Sequence, residues 1–327
     1  MILVTGGAGF IGSNLVAALA ERDNTPVVVC DRLEVEEKAR NLEKHVVAEI
    51  VAPEDLFDWL EESGEDVETV FHMGASSATT ETDFDHLLEN NFGVSMGLWR
   101  WCAEGERRLI YASSAATYGN GAEGFEDDND PAVLVNLRPL NPYGWSKQLF
   151  DLQAVLLGDA GPRPAQWAGL KFFNVFGPNE YHKGGQCSVV VQLFNQISSE
   201  GKVRLFRSHD PEFEDGGQKR DFIWVGDCVD VMLWLHDNRQ VNGIFNCGTG
   251  QARSFTDLAT ACFAAMDRPV DIHYIDTPPE IRQHYQYFTE AAMDRLAAAG
   301  YGRPFTSLED GVARYIGDYL ATNDPYR

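Results

Sequence analysis

The sequence predicts an α/β protein: a Rossmann-type, doubly wound parallel sheet with a smaller C-terminal substrate-binding portion. Three observations predict it. The apolar run Ile2-Leu3-Val4 enters a glycine turn, Gly6-Gly7-Ala8-Gly9-Phe10-Ile11-Gly12, which opens into a helix-forming stretch over 14–20. A second apolar run, Val27-Val28-Val29-Cys30, ends in Asp31, about twenty residues beyond the glycines. Apolar runs then alternate with segments of helical length, the rhythm of βαβ units.

In order, the first run reads as a buried strand and the glycines as a phosphate cradle. Without side chains the backbone turns sharply, and the free N–H groups of the helix start point at a pyrophosphate. Gly7, Gly9 and Gly12 satisfy one spacing of this pattern; Gly6, Gly9 and Gly12 satisfy another. Asp31 stands where an acid meets a ribose hydroxyl. The stretch 67–72 reads as a further strand ending in Met73-Gly74-Ala75, and 108–112 as another ending at Ser113-Ser114. Helices are predicted near 53–62 and 86–104. Ligands in such sheets bind beyond the carboxyl ends of the strands, which is where Gly74, Ser113 and Ser114 fall. The run 170–175 looks like one more strand, after which the rhythm loosens. We therefore expect a dinucleotide-binding unit over 1–170 and a mainly substrate-binding unit over 171–327, with some segments returning to the first. The acidic, Gly-containing stretch 210–217 reads as an exposed loop.

The chain has 327 residues, 44% of them hydrophobic, enough for a sizeable core. Its 26 basic and 50 acidic residues give a formal charge of −24, which disfavours nucleic acid and acidic membranes as partners. Six cysteines show no C-x-x-C spacing and read as reduced thiols of a cytoplasmic protein. The immediate entry into a strand predicts no targeting segment, and no apolar run approaches the roughly twenty residues of a membrane span. His72 and His182 lack partners at metal-ligand spacing, so no metal is expected. Cys187 reads as a small apolar filler.

Tyr143-Gly144-Trp145-Ser146-Lys147 carries the chemistry. Tyr and Lys four apart share a helix face. A free phenol, with a pKa near 10, is a poor base at neutral pH. A neighbouring ammonium and an oxidised nicotinamide both favour the phenolate. Lys147 can also reach a cofactor ribose. Ser114 can present its hydroxyl to the same substrate oxygen. Together they form a proton relay beside a hydride acceptor. On cofactor choice the residues pull both ways: Asp31 suits a free 2′-hydroxyl, whereas Arg32 and Lys38 suit a 2′-phosphate.

The glycine turn, Ser113-Ser114-Ala115-Ala116-Thr117-Tyr118-Gly119 and the Tyr143/Lys147 pair resemble the extended short-chain dehydrogenase/reductases that act on nucleotide sugars. Residues 173–178, Arg220-Asp221-Phe222, Val225-Gly226-Asp227 and 245–250 extend the match. Within that group, the stretch 74–81, His182-Lys183-Gly184 and 285–289 look like the ADP-glyceromanno-heptose 6-epimerases. The resemblance implies inversion at C6 of an ADP-linked heptose used for lipopolysaccharide inner core. The route is transient oxidation to a ketone and re-reduction on the opposite face, with NADP (or NAD) kept bound. It implies Lys183 as a second acid/base. It places Met73, Gly74, Ala75, Ser76, Ser77, Asn90 and Val175 with Phe10 and Ile11 at the cofactor, and Asn174, Gly185, Gln192, Phe206, Arg220 and Tyr285 at the substrate. A homo-oligomer is implied as well.

The chain departs from that pattern in three places. Pro53 and Glu54 stand near the family's cofactor-contacting Lys, Gln192 stands where a His is usual, and the segment after Phe206 is longer and more acidic. Two other readings compete: a UDP-hexose 4-epimerase sharing the Tyr143/Lys147 pair, and a non-enzymatic dinucleotide-binding regulator. A 4,6-dehydratase would place an Asp-Glu pair where Ala115-Ala116 follow Ser114.

Overall fold

A computed structural model describes residues 1–22, 25–282 and 286–327. Seven strands form the central sheet: β1 (Ile2–Thr5), β2 (Val27–Cys30), β3 (Glu49–Val51), β4 (Thr69–His72), β5 (Arg108–Ser114), β6 (Gln166–Phe172) and a late strand, Gly243–Cys247. Their spatial order is β3-β2-β1-β4-β5-β6 followed by the late strand, and every neighbouring pair is parallel. The order reverses between β1 and β4, the switch point beyond whose strand ends sheets of this kind bind ligands.

A parallel sheet covered by helices on both faces needs strands that are apolar at every position, because alternate side chains meet opposite layers. Ile2 and Val4 pack with Leu15, Val16 and Leu19 of the helix Phe10–Arg22 and with Val229, Met232 and Leu235 of the helix Val225–Asp237. Leu3 points the other way, to Leu56, Leu60, Leu98, Trp99 and Phe150 from the helices Leu56–Ser63, Val94–Glu104 and Pro142–Ala160.

The predicted strand over 170–175 is really two. β6 begins at Gln166 and ends at Phe172; β7 (Asn174–Phe176) leaves the sheet and pairs with a strand at Lys219–Trp224. Phe173 makes the hinge, its N–H donating to Cys247 O at 3.1 Å. The remaining strands are β8 (Val203–Phe206), β9 (the Lys219–Trp224 strand), β10 (the late strand of the central sheet), β11 (Ala252–Ser254) and β12 (Ile272–Ile275). β7, β9 and β11 form a small three-stranded sheet, and β8 pairs with β12. A third core, including Phe176, Leu193, Leu205, Leu258, Phe263 and Tyr315, fills this C-terminal part. The acidic stretch 210–217 is a loop between β8 and β9. Among the described residues, no helix is long and apolar enough to cross a membrane.

Candidate active site

The glycine turn joins β1 to the helix Phe10–Arg22 at the reversal point of the sheet. Gly6 has φ +65°, and a Cβ there would lie 2.6 Å from the Gly74 backbone. A Cβ on Gly12 would lie 2.1 Å from Gly6 O. Both positions therefore demand glycine. Gly9 donates its N–H to Gly6 O at 3.0 Å, so Gly6, Gly9 and Gly12 build the turn, while Gly7 backs onto Val29. Phe10 and Ile11 open the helix, and Met73, Gly74 and Ala75 follow β4 directly across from Gly6. These residues fit a dinucleotide: a side-chain-free backbone cradle faces a helix N-terminus at the switch point.

Asp31 follows β2 and is 8% exposed. Its carboxylate accepts from Ala8 N at 2.9 Å, from Arg32 N at 2.8 Å and from the Lys38 ammonium. Part of its acceptor capacity thus braces the glycine turn. Lys38, read as a phosphate ligand, is paired with Asp31 instead. Arg32 is paired with Glu54 at 3.2 Å, and both of these side chains are exposed.

The second half of the site lies at the end of β5. Pro142 occupies the first turn of its helix, and Asn141 caps it by accepting from Gly144 N at 2.8 Å. Tyr143 therefore falls in the first turn and Lys147 one turn on. Ser114, at the end of β5, accepts from Ala116 N at 3.1 Å. Lys147 is 4% exposed and donates to Ala112 O at 2.8 Å. Burial draws its pKa down to about 8, and the Asp151 carboxylate opposes that fall. Burial pushes the Tyr143 phenol above its ordinary value; the Ser114 hydroxyl acts against this and Asp151 adds to it. The sequence predicted a lowered phenol. In the protein alone, desolvation outweighs the neighbouring donor, and the lysine ammonium is turned onto a backbone carbonyl.

Asn91 ties the two halves together. Its Oδ1 accepts from Ser76 N at 2.8 Å; its Nδ2 donates to Ser76 O at 3.0 Å and to Ser146 Oγ at 2.9 Å. Ser146 Oγ in turn donates to Tyr143 O at 2.7 Å. Behind Asn91, Ser95 Oγ lies 2.9 Å from His72 Nε2, and His72 Nδ1 lies 2.6 Å from Thr5 Oγ1. Burial, with the Lys147 charge, pulls His72 down to about 3, so it is a neutral structural link. Asn90, the residue singled out from the sequence, is exposed and donates to His86 O at 2.9 Å. The reason is a π-helical turn over Leu88–Gly93, which shifts the register of the helix so that the second asparagine faces inward. Ser77 follows Ser76 in the loop beyond β4.

On the substrate side, Asn174 opens β7 and is exposed, and Val175 packs against the central core. Lys183 lies in a turn over Tyr181–Gln186 with its ammonium 5.2 Å from the centre of the Phe10 ring. Buried Glu180 anchors that turn, accepting from Ser188 Oγ at 2.6 Å and from Tyr315 OH at 3.0 Å. Burial and the nearby Lys38 and Lys183 ammoniums draw His182 down to about 4. Cys187 is a buried thiol, its pKa raised first by burial and then by Glu180. Gly185 is exposed, and a Cβ there would meet nothing within 4 Å. Gln192 donates to Cys187 O at 3.1 Å. Phe206 ends β8, half-buried. Arg220 is 8% exposed in β9 and donates to Lys219 O at 2.8 Å and to Gln286 O. Gln286 donates to Gly119 O at 2.6 Å, linking this side to the turn after Ser114. Neighbouring Asp221 accepts from Thr249 N, Gly250 N and Ala291 N, fixing the loop after β10. Tyr285 lies outside the described residues.

A glycine cradle beside a Ser–Tyr–Lys cluster defines the class: an enzyme that uses a nicotinamide dinucleotide to work on an alcohol carbon. More particularly, the chain belongs to the NAD dependent epimerase/dehydratase family, whose model matches residues 2–248. It is 52% identical, over 328 positions covering all of both chains, to a Nitratidesulfovibrio vulgaris protein named ADP-L-glycero-D-manno-heptose-6-epimerase. The Helicobacter pylori enzyme of that name has a similar structure, with TM-score 0.78 and 28% identity over 97% of this chain and 95% of that one. A Thermus thermophilus UDP-glucose 4-epimerase, solved with NAD, reaches TM-score 0.74 at 25% identity over 95% and 96%.

Proposed function

We propose that the enzyme inverts C6 of the heptose in ADP-D-glycero-β-D-manno-heptose, giving the ADP-L-glycero form, for lipopolysaccharide biosynthesis. One observation carries the chemistry: Tyr143 and the buried Lys147 lie one helical turn apart, on a helix tied through Ser146 and Asn91 to the backbone beyond β4, where Gly74 faces the glycine turn. The choice of sugar nucleotide follows the full-length likeness to the Nitratidesulfovibrio protein. When bound, the nicotinamide supplies the site for hydride exchange. Ser114 holds the reacting oxygen. Tyr143 takes the hydroxyl proton and later returns it, and Lys147 favours its phenolate. Lys183 serves the second orientation of the sugar as proton donor; its turn lies over Phe10, at the start of the cradle helix. Arg220 neutralises the substrate pyrophosphate, its planar fork matching two phosphate oxygens. Asn174, Gly185, Gln192, Phe206 and Tyr285 complete the sugar-nucleotide pocket.

NADP is the cofactor we infer. Arg32 and Lys38 lie beside Asp31, and a 2′-phosphate would compete with Glu54 for the exposed Arg32 guanidinium. A homo-oligomer is also inferred. Trp145, Leu149 and Leu156 expose 36%, 36% and 47% of their surface along the helix Pro142–Ala160, and Val135 exposes 56% nearby. The six cysteines are all free and buried, which fits a reducing cytoplasm. Incubation with ADP-D-glycero-manno-heptose and, separately, UDP-hexoses tests the reading, with stereochemistry followed by NMR. Inversion at C6 of the heptose is expected; turnover of UDP-hexoses alone, at C4, would overturn it.

A further inference from the structure

We infer that Asp151 and Lys171, an ion pair buried beneath the Ser114 turn, are positioning residues for proton transfer: they hold the end of β5 against the Tyr143–Lys147 helix and set the charge both residues feel. This rests on the acid/base reading of Tyr143 given above.

Asp151 lies four residues beyond Lys147 and eight beyond Tyr143, on the same helix face. Lys171 comes from β6. Both side chains have 0% exposure, and their charged atoms are 2.7 Å apart. The pair grips Ser114 from two sides. Before it, Ser113 Oγ donates to Asp151 Oδ2 at 2.6 Å and Tyr111 OH donates to Oδ1 at 3.0 Å. After it, Lys171 Nζ donates to Thr117 Oγ1 at 2.6 Å, and Thr117 Oγ1 donates to Ser114 O at 2.9 Å. The helix bearing Tyr143 and the strand end bearing Ser114 are thus joined through one carboxylate and one ammonium. Taking two charges out of water is costly, and apolar residues of the same volume hold elements together as well. A pair kept this deep beside a proton relay points to a role in the relay.

The electrostatics have a sign. Asp151 disfavours the Tyr143 phenolate and favours the Lys147 ammonium; Lys171 does the reverse. The groups facing them are Tyr111 from β5, Tyr118 with its ring 4.9 Å from Lys171 Nζ, neutral His72 from β4, and Asp127, which feels the Lys171 charge. Asp151→Asn leaves an uncompensated ammonium, which stabilises the phenolate and destabilises the second ammonium. Both limbs of the activity profile then move to lower pH. Lys171→Met leaves an uncompensated carboxylate and moves both to higher pH. The neutral double variant restores the positions of the limbs.

The test uses the full chain. The pH profile of kcat is measured for the two single variants and the double. The tyrosinate absorbance of each is titrated as a difference against the same variant carrying Tyr143→Phe. Opposite shifts of about one pH unit in the singles, cancelling in the double, are expected. Shifts in one common direction, or none, overturn the inference. If a single variant does not fold, the double decides: about tenfold lower kcat with unchanged cofactor affinity sustains the positioning role, and wild-type kcat ends it. The parent reading fails separately, through wild-type activity in Tyr143→Phe.

Discussion

The two sides of the cleft are built differently. On the dinucleotide side, Gly6 and Ser114 sit at or just beyond strand ends, Ser76 in the loop beyond β4, Tyr143 and Lys147 in the first turns of a helix and Asn91 in a π-helical turn, and hydrogen bonds tie them to one another or to backbone behind them. On the substrate side, Asn174, Gly185 and Gln192 are exposed, and the proposed contacts come from a short turn, the start of the helix Val189–Glu200 and strands of two small sheets. The reacting groups are placed by a seven-stranded sheet that cannot shift one member alone. The recognition groups lie on segments that can change without disturbing that sheet. The chain matches a 6-epimerase structure over 97% of its length and a 4-epimerase structure over 95%, so the backbone of both sides is shared and the exposed side chains of the second side are what can differ.

If the division is real, damage on the first side should strike turnover, and damage on the second should strike substrate choice. Tyr143→Phe should show the largest effect, lowering kcat by about 10³-fold while cofactor stays bound. A steady-state assay with a cofactor-retention measurement checks both halves of that statement. Lys183→Ala comes next, with kcat lower by about 10²-fold. Its turn is pinned at Glu180 and open at Gly184 and Gly185, so the loss should be chemical rather than structural. A fall in thermal midpoint comparable to the loss seen for core variants would contradict this. Arg220→Ala should act mainly through KM, raising it about tenfold, the worth of one charge-assisted hydrogen bond. Its β9 neighbour Asp221 still anchors the loop, so kcat should fall less than KM rises. A kcat effect without a KM effect would move Arg220 out of the substrate pocket.

How much of this was readable beforehand follows the same division. The glycine turn, the acid at the end of the second strand and the Tyr143/Lys147 pair are local patterns, fixed by one turn or one helical repeat, so spacing alone revealed them. Asn91 was not readable, because the π-helical turn at Leu88–Gly93 alters the very periodicity that would have chosen it over Asn90. The break at Phe173 was hidden in a continuous apolar run, since a strand leaving one sheet for another stays apolar throughout. The Asp151–Lys171 pair joins a helix to a strand twenty residues away, and no local pattern marks such a contact. The direction of the Asp31 carboxylate, toward Ala8 N, likewise depends on tertiary packing.

The smallest effect expected concerns cofactor choice, where the two sides meet. Asp31 is buried and braced by Ala8 N and Lys38, whereas the Arg32 guanidinium is exposed and, among the described residues, is held by Glu54 alone. A surface pair of this kind contributes about 1 kcal/mol or less, so a 2′-phosphate can draw the guanidinium away at little cost. Arg32→Ala should therefore weaken NADP by about fivefold and leave NAD within about twofold, the worth of one screened ion contact. Glu54→Gln should act in the opposite direction, because it frees the same guanidinium and removes a repelling carboxylate. Dissociation constants for both cofactors at two ionic strengths supply the check. The NADP preference should shrink with salt in the wild type and be nearly salt-independent in Arg32→Ala. An unchanged NADP affinity in Arg32→Ala would assign the 2′-position to Asp31 and favour NAD.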